Sequence, residues 1–151
     1  MQDFNSWRMK NLTVKLEFAG RSLAGKNIAG AYLNGVAADG ADFSHSNLSG
    51  VNLVQASLNG ANLEEADLSA ALMMYTEMKE ARLLNSNLEK TNLMWANLEN
   101  ADLSGCKLSQ TVFVEANLRN AKLPRADKAS VYLKYARLDG TDWFEQINKG
   151  Q

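Results

Sequence analysis

The side chains able to do chemistry in this chain are few. His45 is the only histidine and Cys106 the only cysteine, so no Cys/His cluster at metal-ligand spacing exists. No glycine-rich loop of the phosphate-cradling kind is present either. Glu64 and Glu65 are adjacent carboxylates, but neighbours in a turn are more often solvated than held as the positioned acid and base that proton transfer needs. These residues exclude enzyme chemistry as the expected function: no catalytic residue, cofactor, metal or small-molecule substrate is assigned. Cys106 has no partner for an internal disulfide, which fits a reducing compartment. The opening MQDFNSWRMK lacks the apolar stretch of a secretory leader, so the expected location is cytoplasmic. No apolar run approaches the roughly 18 residues of a spanning helix. The formal net charge is −1, which points to neither nucleic acid nor an acidic mimic by itself.

With so little chemistry on offer, the informative feature is what arranges the rest of the chain. Every fifth residue from Phe18 to Trp143 gives 26 positions, of which 24 are large and apolar; Ala38 and Lys128 are the exceptions. Two residues before each centre, from Ala31 onward, all 23 positions are Ala, Ser, Thr, Cys or Val. Neither the helical period of 3.6 nor the strand period of two produces this pattern. Nine of the ten glycines lie two residues after a centre. If each centre opens a four-residue turn, that is the third residue, where type II geometry needs positive φ. The one proline, Pro124, falls at the second residue, where a fixed φ suits the turn.

Segments such as ANLEEADLSA (61–70), ANLENADLSG (96–105) and EANLRNAKL (115–123) resemble the pentapeptide-repeat family, whose consensus is A(D/N)LXX. The resemblance implies an all-β fold, a right-handed quadrilateral β-helix with four pentapeptides per square coil, the central residue and the small residue before it both facing inward. Cys106, at a small-residue position, then points inward. Twenty-six repeats make about six and a half coils, a rod roughly 30 Å long at ~4.8 Å per coil. The expected organisation is an N-terminal capping segment (1–15), the solenoid (16–145) and a C-terminal tail (146–151).

An open solenoid exposes core and unpaired edges at its ends, so caps are expected. Phe4 and Trp7 on a short helix, followed by Leu12, Val14 and Leu16 as an alternating strand, could close the N-terminal mouth. Trp143, Phe144 and Ile147 are candidates for the other lid. Arg21 and Lys26 take small-residue positions, which calls the regularity of the first coil into question. Ala38 leaves a space that Phe18 and Phe43 could partly fill. Lys128 marks a bulge or a side chain reaching outward, with a functional buried lysine as the alternative.

With four units per coil, as the resemblance implies, residues 20 apart stack, which sorts the outward positions into four walls. Three walls show mainly polar and small residues. The fourth, on the ladder Leu33, Leu53, Met73, Leu93, Phe113 and Leu133, presents Tyr32, Val54, Leu72, Met74, Tyr75, Met94, Trp95, Val112, Val114, Tyr132 and Tyr135. Eleven of its eighteen outward residues are large and apolar, a stripe of roughly 300–400 Å², at the upper end of what a monomer leaves bare. Tyr, Trp and Met are also enriched in interface cores. The expectation is a non-enzymatic scaffold binding a protein partner or a second copy through this wall. Coverage by a terminal segment of the chain, or exposure without consequence, stays open. No membrane partner is expected, since the stripe's one cation is Lys134, and no nucleic acid is expected. Residues 31–123 carry eleven acidic and six basic side chains, with Glu64, Glu65, Glu77, Glu80, Glu99 and Asp102 on two walls away from the stripe. Such a belt is ordinarily a solvated surface; its sharper reading is weak DNA mimicry, the alternative that the family's quinolone-resistance members suggest, a protector of a type II topoisomerase.

Overall fold

The computed structural model describes residues 1–125 and 130–143. Lys128, Phe144, Ile147 and the proposed tail lie outside the described residues. The chain opens with helix α1 (Gln2–Lys10); from Glu17 onward it winds in a repeating five-residue unit.

The unit can be derived by asking where its five backbone N–H groups go, since each needs a partner away from water. Around Leu53 the accounting is complete. Ala56 N–H closes the turn on Leu53 C=O at 3.0 Å; Leu53 N–H reaches Leu72 C=O in the next coil at 2.8 Å; Gln55 N–H reaches Met74 C=O at 3.0 Å; Asn52 N–H returns to Ala31 C=O in the preceding coil at 2.9 Å. That leaves Val54 N–H inside the turn, and Asn52 Oδ1 accepts it at 3.1 Å. The Asn or Asp before each centre is therefore the acceptor of the one donor that neither turn nor neighbouring coil can satisfy. Several of these amides also bond along the rod, as Asn62 Nδ2 does to Asp42 Oδ1 at 3.1 Å and Asn87 Nδ2 to Asp67 Oδ1 at 3.2 Å.

Every β-bridge is parallel and joins residues 20 apart, from Glu17↔Ala37 to Asn117↔Arg137. Four pentapeptides thus make one circuit. The bridges are isolated single residues rather than continuous strands, because the turn occupies the rest of each side. The third turn residue takes positive φ as expected, but at 14 residues other than glycine as well as at nine glycines.

Inside, Leu48, Leu68, Leu88 and Leu98 are fully buried, as are alanines such as Ala61, Ala81 and Ala101. Small side chains on the inner face let the Leu ladders of opposite walls meet at close-packed density. Hydroxyls at those positions are satisfied by turn carbonyls: Thr76 Oγ1 donates to Met73 C=O, and Thr91 Oγ1 to Leu68 C=O, both at 2.8 Å. Cys106 points inward as expected, its Sγ 3.0 Å from Leu83 C=O, and burial pushes its thiol up to about 11. Beside Ala38, Phe43 is buried and Phe18 is partly so.

The ends differ from expectation in instructive ways. Phe4 and Leu16 pack against the core, whereas Trp7, Leu12 and Val14 are exposed, and residues 12–14 form turn and bend rather than a strand. Polar groups make the N-terminal cap instead. Asn5 replaces the missing coil beneath the apolar wall, its Oδ1 accepting Tyr32 N–H at 2.9 Å and its Nδ2 donating to Gly30 C=O at 2.8 Å. Buried Arg8 donates to the carbonyls of Asn11, Val14 and Asn34 at 2.6–3.0 Å. Despite Arg21 and Lys26, the first coil keeps the repeat, with Arg21 N–H on Phe18 C=O and Lys26 N–H on Leu23 C=O. Both side chains are exposed, which a coil at the open end permits. Near the other end Trp143 is buried, and its indole N–H donates to Pro124 C=O at 3.0 Å. The turn expected at Pro124 does not take the repeat's form, since Arg125 is absent from the positive-φ set. Gln110 N–H reaches Ser130 C=O, one residue beyond the usual partner. The register is regained at Val112↔Tyr132.

Candidate interaction surface

The fourth wall is assembled by the bridge ladder Tyr32↔Asn52↔Leu72↔Asn92↔Val112↔Tyr132. All eleven outward apolar residues named from the sequence lie on it, in three columns. Tyr32, Leu72, Val112 and Tyr132 occupy the bridge column, which Asn52 and Asn92 interrupt. Val54, Met74, Met94 and Val114 follow on the second turn residue, and Tyr75, Trp95 and Tyr135 on the third. Six of the eleven, Tyr32, Leu72, Tyr75, Trp95, Tyr132 and Tyr135, are exposed; the Val and Met residues between them are half-buried. Among the described residues, every other exposed large apolar side chain belongs to the N-terminal segment, so the three remaining walls of the solenoid contribute none.

At the centre of the wall two aromatic rings meet. Tyr75 and Trp95, one coil apart, stack with ring centroids 4.8 Å apart and planes 8° from parallel. They are 51% and 41% exposed, so the stack keeps one aromatic surface in water. Leu72, Met74 and Met94 flank it. At the far end Lys134 Nζ sits 5.0 Å from the Tyr135 ring centroid, so the wall's cation is held by its own aromatic.

Two backbone features bear on the wall. Tyr75, Trp95 and Tyr135 all hold positive φ, at 59°, 58° and 62°, positions where glycine or asparagine sits more cheaply. At Leu72 and Val112 the usual Asn or Asp acceptor is missing, and no partner for Met74 N–H or Val114 N–H is found among the described residues. Apolar groups here displace residues that the repeat itself would favour, although Arg82 and Lys107 on other walls also replace the acceptor.

The acidic residues are arranged differently. Glu64 is met by Arg82 at 3.1 Å and Asp102 by Lys122 at 3.0 Å, each pair one coil apart or nearly so; Glu77 accepts Asn97 Nδ2 at 2.9 Å. Glu65 lies 3.2 Å from His45. Cations stacked along the rod therefore interrupt the acidic belt. No group of three or more His, Cys, Asp or Glu able to hold a metal ion occurs among the described residues, and no helix there is long and apolar enough to cross a membrane.

A family model described as pentapeptide repeats matches residues 22–64, 39–73, 52–89, 76–113, 91–127 and 111–142, with eight copies. The chain belongs to the pentapeptide-repeat family, whose fold is the right-handed quadrilateral β-helix. Members are generally structural or interaction scaffolds rather than enzymes. Among solved structures, the chain is similar to trypsin-treated QnrB1, a plasmid-mediated fluoroquinolone resistance protein, with TM-score 0.56 and 18% identity over 91% of this chain and 88% of that one. It is also similar to a pentapeptide repeat protein of Nostoc PCC 7120, alr5209 (30% identity, 74% of this chain and 84% of that one, TM-score 0.46). HetL from Nostoc sp. strain PCC 7120, involved in regulating heterocyst differentiation, shares 27% identity over 83% of this chain and 73% of that one, with TM-score 0.46. No curated protein matches the chain.

Proposed function

We propose that this protein is a non-enzymatic interaction scaffold that takes a protein partner, a second copy included, on its apolar wall. The observation that carries this reading is the stacked, half-exposed Tyr75–Trp95 pair at the centre of the one solenoid wall that, among the described residues, bears exposed large apolar side chains. Aromatic anchors in the middle of a patch carry most of the energy of a typical interface. The stripe is roughly half of a standard interface side, so a tight partner also engages the flanking walls. A cytoplasmic location belongs to the same reading, on the strength of the single buried thiol.

Sizing of the purified chain by light scattering, beside Tyr75→Glu and Trp95→Glu, tests it. Self-association or partner retention should be lost in both variants. A monomeric wild type whose recovered partners bind both variants normally would refute it. The DNA-mimic alternative draws on the acidic excess of residues 31–123, but the cations against Glu64 and Asp102 reduce the continuous negative field such mimicry needs. An effect on gyrase supercoiling, unchanged in the two wall variants, would favour that alternative instead.

A further inference from the structure

Outside the apolar wall, the exposed large apolar residues of the described chain are Met1, Trp7, Met9, Leu12 and Val14. Two further features coincide with them at the N-terminal end. Beneath α1 the first coil opens into a cavity of about 270 Å³, lined only by apolar residues that include Phe4, Phe18, Leu23, Ile28 and Leu33. An enclosed apolar cavity of roughly 150 Å³ already stays dry and accepts benzene; this one is larger and reaches solvent. Charge is also reversed here. Residues 1–30 hold Arg8, Lys10, Lys15, Arg21 and Lys26 against Asp3 and Glu17, whereas the solenoid beyond them is acidic in excess. Arg8 is used inside the cap, but the other four cations are exposed and form no ion pair among the described residues. Arg21 and Lys26 each stand two residues before a cavity-lining side chain, Leu23 and Ile28.

We propose that this end docks on an anionic lipid bilayer. Trp7, Met9, Leu12 and Val14 enter the headgroup boundary, Lys10, Lys15, Arg21 and Lys26 meet the lipid phosphates, and the cavity receives the end of an acyl chain. Interfacial anchoring needs apolar residues together with a basic rim. The apolar wall has the first without the second, and the N-terminal end has both. Each Lys or Arg near an anionic surface contributes about fivefold in affinity, so the electrostatic share is strongly salt-dependent.

Co-sedimentation of the full chain with vesicles tests this, using phosphatidylcholine alone and an equal mixture with phosphatidylglycerol. The chain should sediment with the anionic vesicles only, and about 1 M salt should release it. The double variant Arg21→Gln/Lys26→Gln should bind about thirtyfold more weakly, and Trp7→Ser should also weaken binding. Tyr75→Glu/Trp95→Glu should bind as wild type, so that failure here is separable from failure of the partner assignment above. The proposal is overturned by no sedimentation with anionic vesicles at low salt, which leaves a protein as the occupant. It is equally overturned by wild-type binding in Arg21→Gln/Lys26→Gln, or by loss in the wall variant alone.

Discussion

Trp95 offers a perturbation in which turn geometry and surface chemistry can be separated. It holds φ 58° and stacks on Tyr75 at 4.8 Å. Replacing it by Ala or by Gly removes the same indole, the same stack and the same buried area, so those losses cancel when the two variants are compared. What remains is the backbone. A residue with a Cβ in the left-handed region costs about 1–2 kcal/mol, while glycine gives back about 0.5–1 kcal/mol through its freer unfolded chain. Trp95→Gly should therefore be the more stable by about 0.5–1 kcal/mol, the reverse of the usual order. Urea denaturation with matched slopes measures the difference. The same pair at Tyr75, combined into a double-mutant cycle with Trp95, should give a coupling of about 0.5–1.5 kcal/mol for the stack. If the Ala variant is the more stable, positive φ at this position is not what the unit requires and the account of the turn fails. If both variants unfold far more readily than the removed area explains, the pair is a structural brace rather than an anchor.

Further expectations follow from individual contacts. Gly60 and Gly105 share positive φ, but a Cβ at Gly60 meets open space whereas one at Gly105 overlaps Asn85 Oδ1. Gly60→Ala should cost about 0.5–1 kcal/mol and Gly105→Ala more, with Asn85→Ala returning the second to the first in melting experiments. The Ser44 backbone N–H, the largest influence on Asp42, helps hold its carboxyl below the ordinary 3.8. A carboxylate depressed in the folded state stabilises above its unfolded pKa and loses that contribution as pH falls through the folded value. Stability measured below about pH 4 should thus fall less steeply in Asp42→Asn, which keeps the oxygen acceptor. Cys106, buried with its thiol raised to about 11, should resist alkylation at neutral pH until the coils around it open, as mass spectrometry along a denaturant series would record. Arg8→Ala should destabilise the chain by about 2–3 kcal/mol in the same denaturation assay, since three carbonyls lose a charged donor.

The period of five was legible in the chain because each position of the unit makes one repeated demand, and the stacking at twenty came from the family resemblance, which implies four units per coil. A small residue lets the walls meet, a large one fills the lumen, and Asn or Asp takes the stranded turn N–H. Sorting residues by twenty also collected Tyr75, Trp95 and their neighbours onto one wall, since a period needs no coordinates to be extrapolated. Three matters were decided only by the folded structure. The cap by Asn5 and Arg8 depends on which donors and acceptors the first coil leaves unpaired, and no period passes through a helix that breaks the repeat. The departure at Pro124 arises where the Trp143 indole takes a carbonyl near the end of the rod, a contact 19 residues away in sequence. The pairing of Glu64 with Arg82 and the stacking of Tyr75 on Trp95 depend on side-chain rotamers. Periodicity states which residues are neighbours; rotamers and local space decide what those neighbours do to each other.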